Sequence, residues 1–452
     1  MGRVKRYLED NSALAKSLLK LSLPAIGEMS LNTLVGVMDT LMISYLVGSA
    51  ALSAVGFANQ VIFTLIFIFS AFNTGATALV SRYYGEQNFE KLRSVAGQGL
   101  TINIIIGFVV TVGAYYFRGP IFGIYEVSKD VFDLMMVYFI IVLVGMVPMF
   151  IAFSGAAILR GVGDTMAPMK ITAFANILNI IGNYVLIVGW GPFPQMGVAG
   201  AAWSTTFSRI VAALLYIYIL FYKEGHGKIE GADLHLTKDT VKPLWKISYP
   251  GAIEQALMQT SFLALGVIIS KLDTVAEAAF RVLSNIESLS FMPAVGMAIA
   301  SATLTGKSLG EKNEQNAMAT GYISGGMSIV WGLIMGVVFI AFPRAILGIF
   351  TPEVAIVEAG VAALMVAGVN NAFLNFNIVM GGVLRGAGDT RTVMLFTVFR
   401  LWGIFLPLSY FLILKWDQGV MGLWQAELIS FLIFSSLIFK RFRGRKWMKI
   451  EL

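Results

Sequence analysis

The stretch LPAIGEMSLNTLVGVMDTLMIS, Leu23–Ser44, decides how the rest of the chain is read. It is almost wholly apolar and long enough to cross a bilayer, yet it carries Glu28, Asn32 and Asp39. At ~100° per residue, Asn32 and Asp39 lie within about 40° of Glu28, so all three share one helical face. A carboxylate deep in a bilayer costs roughly 2.5–3.5 kcal/mol on insertion scales unless it faces protein or water. A polar stripe on a greasy helix therefore marks an internal lining.

The whole composition agrees with a membrane chain. Of 452 residues, 57% are hydrophobic and 13% charged, and the mean hydropathy is +0.77. A soluble domain of this length could not hide that much apolar surface. There is no cysteine, which excludes disulfides and thiolate metal sites. Both histidines, His226 and His235, fall in one polar segment, so no intramembrane His site is expected. The formal charge of +7 raises the question of nucleic acid, but the basic residues sit at chain ends and alternate loops, where they orient a membrane protein. The N-terminal MGRVKRYLEDNSALAK reads as a basic amphipathic lead-in and lacks the small-residue cleavage site of a signal peptide.

Twelve spans are expected, at 17–47, 51–80, 94–116, 131–158, 166–190, 197–222, 243–270, 276–305, 315–342, 354–384, 391–414 and 420–440. Each reaches the ~20 residues that ~30 Å of hydrocarbon requires. The loops assigned outside hold only Arg118, Lys129, Lys271, Arg344 and Lys415, whereas those assigned inside include Arg82, Lys91, Arg93, Arg160, Lys170, Lys242, Lys307 and Arg385. This asymmetry predicts both termini in the cytoplasm and a plasma (inner) membrane location.

An internal repeat organises the spans. ILRGVGDT (158–165) returns as VLRGAGDT (383–390), YYGEQN (83–88) as SLGEKN (308–313), and LSLPAIGE (21–28) as ISYPGAIE (247–254). The fold expected is all-α, with two six-helix lobes, 1–222 and 243–452, joined by a cytoplasmic linker 223–242 and related by a pseudo-two-fold along the membrane normal. The LRGxGDT segments read as tight helix–helix turns whose Asp164 and Asp389 cap the following helix. No strand precedes the glycines, so they do not read as a phosphate cradle.

Depth picks out the polar groups that could bind an ion. Asp39 lies about eight residues, roughly 12 Å, below the outer surface. Asn183 and Asn179 on the fifth span and Thr205 on the sixth fall at similar depth, and Asn176 continues the Asn face. One carboxylate, two carboxamides and a hydroxyl are hard-oxygen donors suited to a proton or a small alkali cation. Asp39, Asn179 and Asn183 are thus read as a sodium site as well as a proton site. The bland reading of Asn and Thr here is interhelical hydrogen bonding. Glu28 and Glu254 occupy equivalent repeat positions and, with Asn32, Asn176, Arg281, Asn285, Glu287, Asn371 and Asn375, are candidates for lining a solute cavity. Asp39 has no acidic counterpart in the second half, where the matching position is Leu265, so coupling is expected in the first half alone. Intramembrane Arg209 and Arg400 each require a carboxylate or carbonyl partner.

Together the two-fold repeat of twelve spans, the Pro-Glu first span with its late Asp39, the paired LRGxGDT turns and the GVAGAA start of span six (197–202) resemble MATE transporters, the multidrug and toxic compound extrusion family. The resemblance covers essentially the whole chain. It looks closest to the archaeal and DinF-like branch. The seventh-span Glu and tenth-span Asp of the NorM branch fall here at Met258 and about Leu374. The resemblance implies a non-enzymatic exporter of small cationic or amphipathic organic compounds, driven by inward proton or sodium flow, with no other cofactor and no nucleic-acid partner, acting as a monomer in the bilayer. It places the family's N-lobe cation site at Asp39, Asn179 and Thr205. Asn183 departs from it, because many prokaryotic members have Asp there. The competing reading is a flippase for lipid or lipid-linked oligosaccharide of the same superfamily. An enzyme is disfavoured because no Ser-His-Asp set, His-Glu metal motif or P-loop lies in the spans.

Overall fold

The computed structural model describes residues 11–225 and 228–450. Most of the basic lead-in, including Arg3, Lys5 and Arg6, and His226 lie outside the described residues. Among the described residues there is no β-strand. Twelve membrane-length elements follow in order: α1 Ser12–Leu46, α2 Ser49–Gly85, α3 Phe89–Phe122, α4 Lys129–Gly161, α5 Met166–Val188, α6 Val198–Tyr222, α7 Lys238–Ile269, α8 Thr274–Gly310, α9 Glu314–Ala341, α10 Val354–Gly386, α11 Thr390–Lys415 and α12 Gly419–Arg443. The protein is an all-α, twelve-helix membrane protein. Several helices exceed the ~20 residues needed to span and therefore tilt, bend or project.

Three of these helices are irregular: α2 is interrupted at Ala71, between Ser49–Ser70 and Phe72–Gly85, and α4 and α11 depart from regular geometry as follows. α4 bends by 48° at Gly145, where the backbone N–H turns to the Val142 carbonyl (3.0 Å). A straight helix would direct that N–H to Ile141, so the Ile141 carbonyl is left free. The Thr206 hydroxyl of α6 donates to it instead, at 3.0 Å. Such repair is what permits irregular backbone inside a bilayer. α11 contains two π-helical stretches, Phe399–Phe405 and Phe411–Lys415.

The repeated motifs build matching turns. Gly163 and Gly388 both adopt φ of 86°, the left-handed conformation that favours glycine. Asn88 and Asn313 accept from the backbone N–H groups of Lys91 (3.1 Å) and Asn316 (2.9 Å), capping α3 and α9. Asp164 accepts from Ala167 N–H (2.9 Å), as expected of a cap. Asp389 differs. It is taken by Thr392 Oγ1 (2.6 Å) and Arg441 Nε (2.7 Å), so it ties α12 to the turn rather than capping α11 through its backbone.

Contacts divide the chain into two compact units, Gly27–Ser248 and Met1–Ile26 with Tyr249–Leu452. The changeovers fall inside the continuous helices α1 and α7. In the first unit, Ile62, Phe122, Met135, Phe139 and Phe150 form a buried core. Residues 223–242 fold back on α3. Thr101 Oγ1 donates to the Leu234 carbonyl (2.9 Å) and Thr237 N–H to Gln98 Oε1 (2.9 Å). In the second unit, Leu18 of α1 packs among Ala300, Leu304, Ala319 and Ile323.

Helix crossings in the second unit rest on small residues at i, i+4. A Cβ at Gly336 of α9 would sit 2.4 Å from the Gly368 carbonyl of α10, and one at Gly386 of α10 would sit 2.2 Å from the Ala302 carbonyl of α8. Without a hydrophobic drive between helices in lipid, this close approach supplies the dispersion contact that holds them. Gly336→Val should therefore lower the thermal unfolding midpoint of the detergent-solubilised protein by the equivalent of about 1–3 kcal/mol. Gly326→Val on the same helix, where a Cβ meets nothing within 4 Å, should leave it near wild type.

Candidate functional site

The first unit brings together the four residues expected to bind an ion. Asn183 Nδ2 donates to Asp39 Oδ1 at 2.5 Å and to Asn179 Oδ1 at 3.4 Å, and Asn179 Nδ2 donates to Thr205 Oγ1 at 3.2 Å. The chain of bonds thus runs from α1 through α5 to α6. Its geometry depends on the tight packing of α5 on α6. A Cβ at Gly182 would meet Ser204 Oγ at 2.5 Å and one at Gly200 the Leu186 carbonyl at 2.6 Å. Ser204 Oγ also donates to the Asn179 carbonyl at 2.7 Å. Asn179 and Asn183, one helical turn apart, therefore face Thr205 at short range.

Two neighbours belong to this site that the depth comparison did not include. Arg209 on α6 lies close to Tyr138 and within electrostatic reach of Asp39, and its stem packs where Gly145 bends α4. Its Nη1 is buried without a hydrogen-bond partner. Tyr138 Oη donates to Asn59 Oδ1 at 3.3 Å. The signal for Arg209 was its four-residue spacing from Thr205, which puts both on one face of α6. Asn183 Oδ1 and Asn176 Nδ2 are also buried without partners.

The donor set bears on which ion the site suits. Asn183 presents its NH2 to Asp39, an arrangement that fits an ionised carboxylate. A sodium ion at Asp39 would have to displace that NH2 and share the space with the Arg209 charge. A proton needs only a free lone pair on the carboxylate and no displacement of the amide. Among the described residues no group of three or more His, Asp or Glu could hold a metal.

Glu28 and Glu254 acquire a different and symmetrical set of partners. Arg160 Nη2 donates to Glu28 Oε1, and Arg385 Nη2 to Glu254 Oε1 at 2.6 Å. Thr397 Oγ1 adds a bond to Glu254 at 2.9 Å. Arg160 and Arg385 are the arginines of the two LRGxGDT turns, so the repeat encodes one ion pair twice. Each carboxylate is buried and committed to its own turn. Each carboxylate is thus paired with an arginine within its own unit.

The remaining candidates separate into exposed and buried groups. Asn32 and Asn285 are exposed. Arg281 forms a surface pair with Glu277 (2.7 Å) rather than reaching Glu287. Asn371 and Asn375 are fully buried on α10. Ser290 Oγ donates to Asn371 Oδ1 (2.5 Å), and Asn375 Nδ2 donates to the Asn371 carbonyl (2.7 Å). Glu287 lies within electrostatic reach of Glu427 of α12. Among the described residues Arg400 forms no close ion pair. Its guanidinium lies over the Phe431 ring, 4.5 Å from the centroid, within electrostatic reach of Glu427, Glu254 and Glu287.

Comparison with known proteins agrees with this architecture. The MatE family profile matches residues 24–185 and 250–411, once in each half. A Thermotoga maritima protein named "Probable multidrug resistance protein NorM" is 31% identical over 458 residues, covering 98% of this chain and 96% of its own. The Bacillus subtilis "Uncharacterized transporter YisQ" is 27% identical and covers 96% of this chain and 95% of its own. Among solved structures, an outward-facing multidrug resistance MATE family transporter of the MOP superfamily superposes with a TM-score of 0.89. It has 23% identity and covers 97% of each chain. A MOP superfamily transporter from Pyrococcus furiosus gives the same values. These two likenesses are of fold.

The Glu28–Arg160 pair can be tested directly. Removing one member of a buried pair strands the other charge and costs about 3–5 kcal/mol, whereas removing both is far cheaper. Arg160→Gln should therefore destabilise the solubilised protein more than Glu28→Gln with Arg160→Gln together. A double-mutant cycle by thermal unfolding measures the difference, and additive single effects would show that the pair carries no coupling.

Proposed function

The chain belongs to the MatE family, and from that premise we propose that it is an antiporter that exports small cationic or amphipathic organic compounds in exchange for protons, with Asp39 as the proton carrier. It is a multi-pass membrane transporter and not an enzyme. The observation behind the choice of residue is the bond from Asp39 to Asn183, continued through Asn179 to Thr205. A change of charge on Asp39 alters three helices at once. Protonation would weaken the bond that Asn183 donates to Asp39 and the attraction holding Arg209. The helices α1, α5 and α6 would then be free to settle in a second arrangement. Outward-facing and inward-facing states of two lobes, 1–222 and 243–452, would be biased in this way.

The preference for a proton over sodium rests on two local features, the amide NH2 turned toward Asp39 and the nearby Arg209. Export powered by proton entry also needs a defined orientation. The excess of Lys and Arg in alternate loops supports cytoplasmic termini in the plasma membrane. The T. maritima and other relatives named as multidrug resistance proteins support the substrate class.

The test is dye movement in proteoliposomes under an imposed pH gradient or an imposed sodium gradient, applied separately. Wild type should move ethidium uphill with the pH gradient and not with sodium. Asp39→Asn should insert and fold but lose uphill movement entirely. Normal gradient coupling in that variant would eliminate Asp39 as the carrier. Flipping of a lipid-linked pyrophosphate with no dye movement would transfer the assignment to a flippase.

A further inference from the structure

The segment that joins the two halves forms a groove with the start of α7. Residues 231–240 are pinned to α3. A Cβ at Gly97 would sit 2.4 Å from the Asp233 carbonyl. Gln98, 2% exposed, accepts from Thr237 N–H (2.9 Å) and donates to Thr237 Oγ1 (3.0 Å). The Ser94 and Thr240 hydroxyls share a hydrogen bond at 3.0 Å. Further along, Ser248 Oγ donates to the Phe72 carbonyl at 2.9 Å, which fixes the first turns of α7 on α2. All of these residues belong to the first unit.

Between these anchors lies a cavity of about 500 Å3, lined by Leu236, Thr237, Lys238, Val241, Lys242 and Trp245. On α7, Lys238, Val241, Lys242 and Trp245 are spaced i, i+3, i+4, i+7, so they form one face. That face is part apolar and part cationic. Leu236 is 48% and Trp245 59% exposed, although the Trp245 ring also leans on Phe72, with centroids 6.3 Å apart. Lys238 and Lys242 are exposed, and among the described residues neither has an acidic partner within 4 Å. The nearby acids do not offset them. Asp239 falls about 100° round the helix from Lys238, and Glu230 is held by Arg93 at 3.2 Å.

The level of the groove along α7 narrows what can fill it. The helix carries Lys238, Asp239, Lys242 and Lys246 in its first nine residues and only Glu254 in the remaining 23. The groove therefore sits where α7 passes from water into hydrocarbon, the level at which Trp rings and lysine ammoniums meet lipid headgroups. An occupant needs an apolar part for Leu236, Val241 and Trp245 and an anionic part for two unpaired ammoniums. A soluble phosphate lacks the first and a zwitterionic lipid carries no net charge for the second. We infer that the groove is a preformed site for one anionic phospholipid, its phosphate between Lys238 and Lys242 and an acyl chain along Leu236, Val241 and Trp245. The walls are already hydrogen-bonded in place, so binding orders little chain. The lipid is a resident ligand and not cargo, and the site does not depend on Asp39 being the carrier. It occurs in one half alone, since the repeat positions of Lys238, Val241, Lys242 and Trp245 are Ser12, Ala15, Lys16 and Leu19.

The experiment is native mass spectrometry of the delipidated full chain in detergent, titrated with phosphatidylglycerol or phosphatidylcholine. Wild type should retain one tightly bound phosphatidylglycerol. Lys238→Gln with Lys242→Gln should weaken that binding by roughly 10–30-fold. Lys440→Gln with Lys446→Gln removes the same charge from exposed positions at the end of α12 and should bind as wild type does. Phosphatidylcholine should not be retained, and excess inorganic phosphate should not displace the lipid. Phosphatidylglycerol with brominated acyl chains should quench a larger fraction of the fluorescence of wild type than of Trp245→Phe. Undiminished binding by the Lys238, Lys242 variant overturns the proposal, as does an equal loss in the Lys440, Lys446 variant. Equal retention of phosphatidylcholine, displacement by inorganic phosphate, or equal fractional quenching with and without Trp245 overturns it too. A dimer that the Lys238, Lys242 variant fails to form would make the occupant a second copy of the chain and would also overturn it. Asp39→Asn should bind the lipid as wild type does, so a failure of the antiport reading leaves this result unchanged.

Discussion

An ionised side chain inside a bilayer must be neutralised where it stands, and that requirement shapes the polar interior of this protein. The cost of an isolated charge exceeds what helix packing in lipid returns, so charges enter in compensated groups. Glu28 with Arg160 and Glu254 with Arg385 show the simplest solution, an acid on the first helix of each half and an arginine at the end of the fourth. Because the same turn, LRGxGDT, supplies both the arginine and the left-handed glycine, one motif fixes a chain reversal and pins it to a neighbouring helix. The motif returns in the second half with its ion pair intact. Compensation at this position is therefore independent of whatever else the halves do.

Deeper in each half the symmetry is lost, and charge balance is met by different means. In the first unit one carboxylate, Asp39, faces one guanidinium, Arg209, through space. In the second unit two carboxyls, Glu287 and Glu427, face one guanidinium, Arg400, which is also held over Phe431. The arginines come from different helices of their halves, α6 and α11, so they are not copies of one ancestral residue. Their similarity is chemical: a planar, weakly hydrated cation tolerates burial against aromatic and amide groups better than an ammonium does.

Much of this was legible in the sequence. Every expected span corresponds to a helix in the structure, because twenty apolar residues leave the chain no other hydrogen-bonded solution in lipid. The Asp39, Asn179, Asn183 and Thr205 cluster followed from helical spacing and depth alone, since antiparallel spans bring equal depths to equal heights. The partners of Glu28 and Glu254 were less accessible. Their arginines sit in turns assigned to the membrane surface, and only the three-dimensional path of α4 and α10 shows the guanidinium reaching back inward. Glu427 was passed over for a related reason. A single acid in WQAELISFLIF has only a serine, Ser430, at helical spacing beside it, and its other partners come from α8, α10 and α11. Sequence periodicity reports faces of one helix, whereas a carboxyl pair is a property of two.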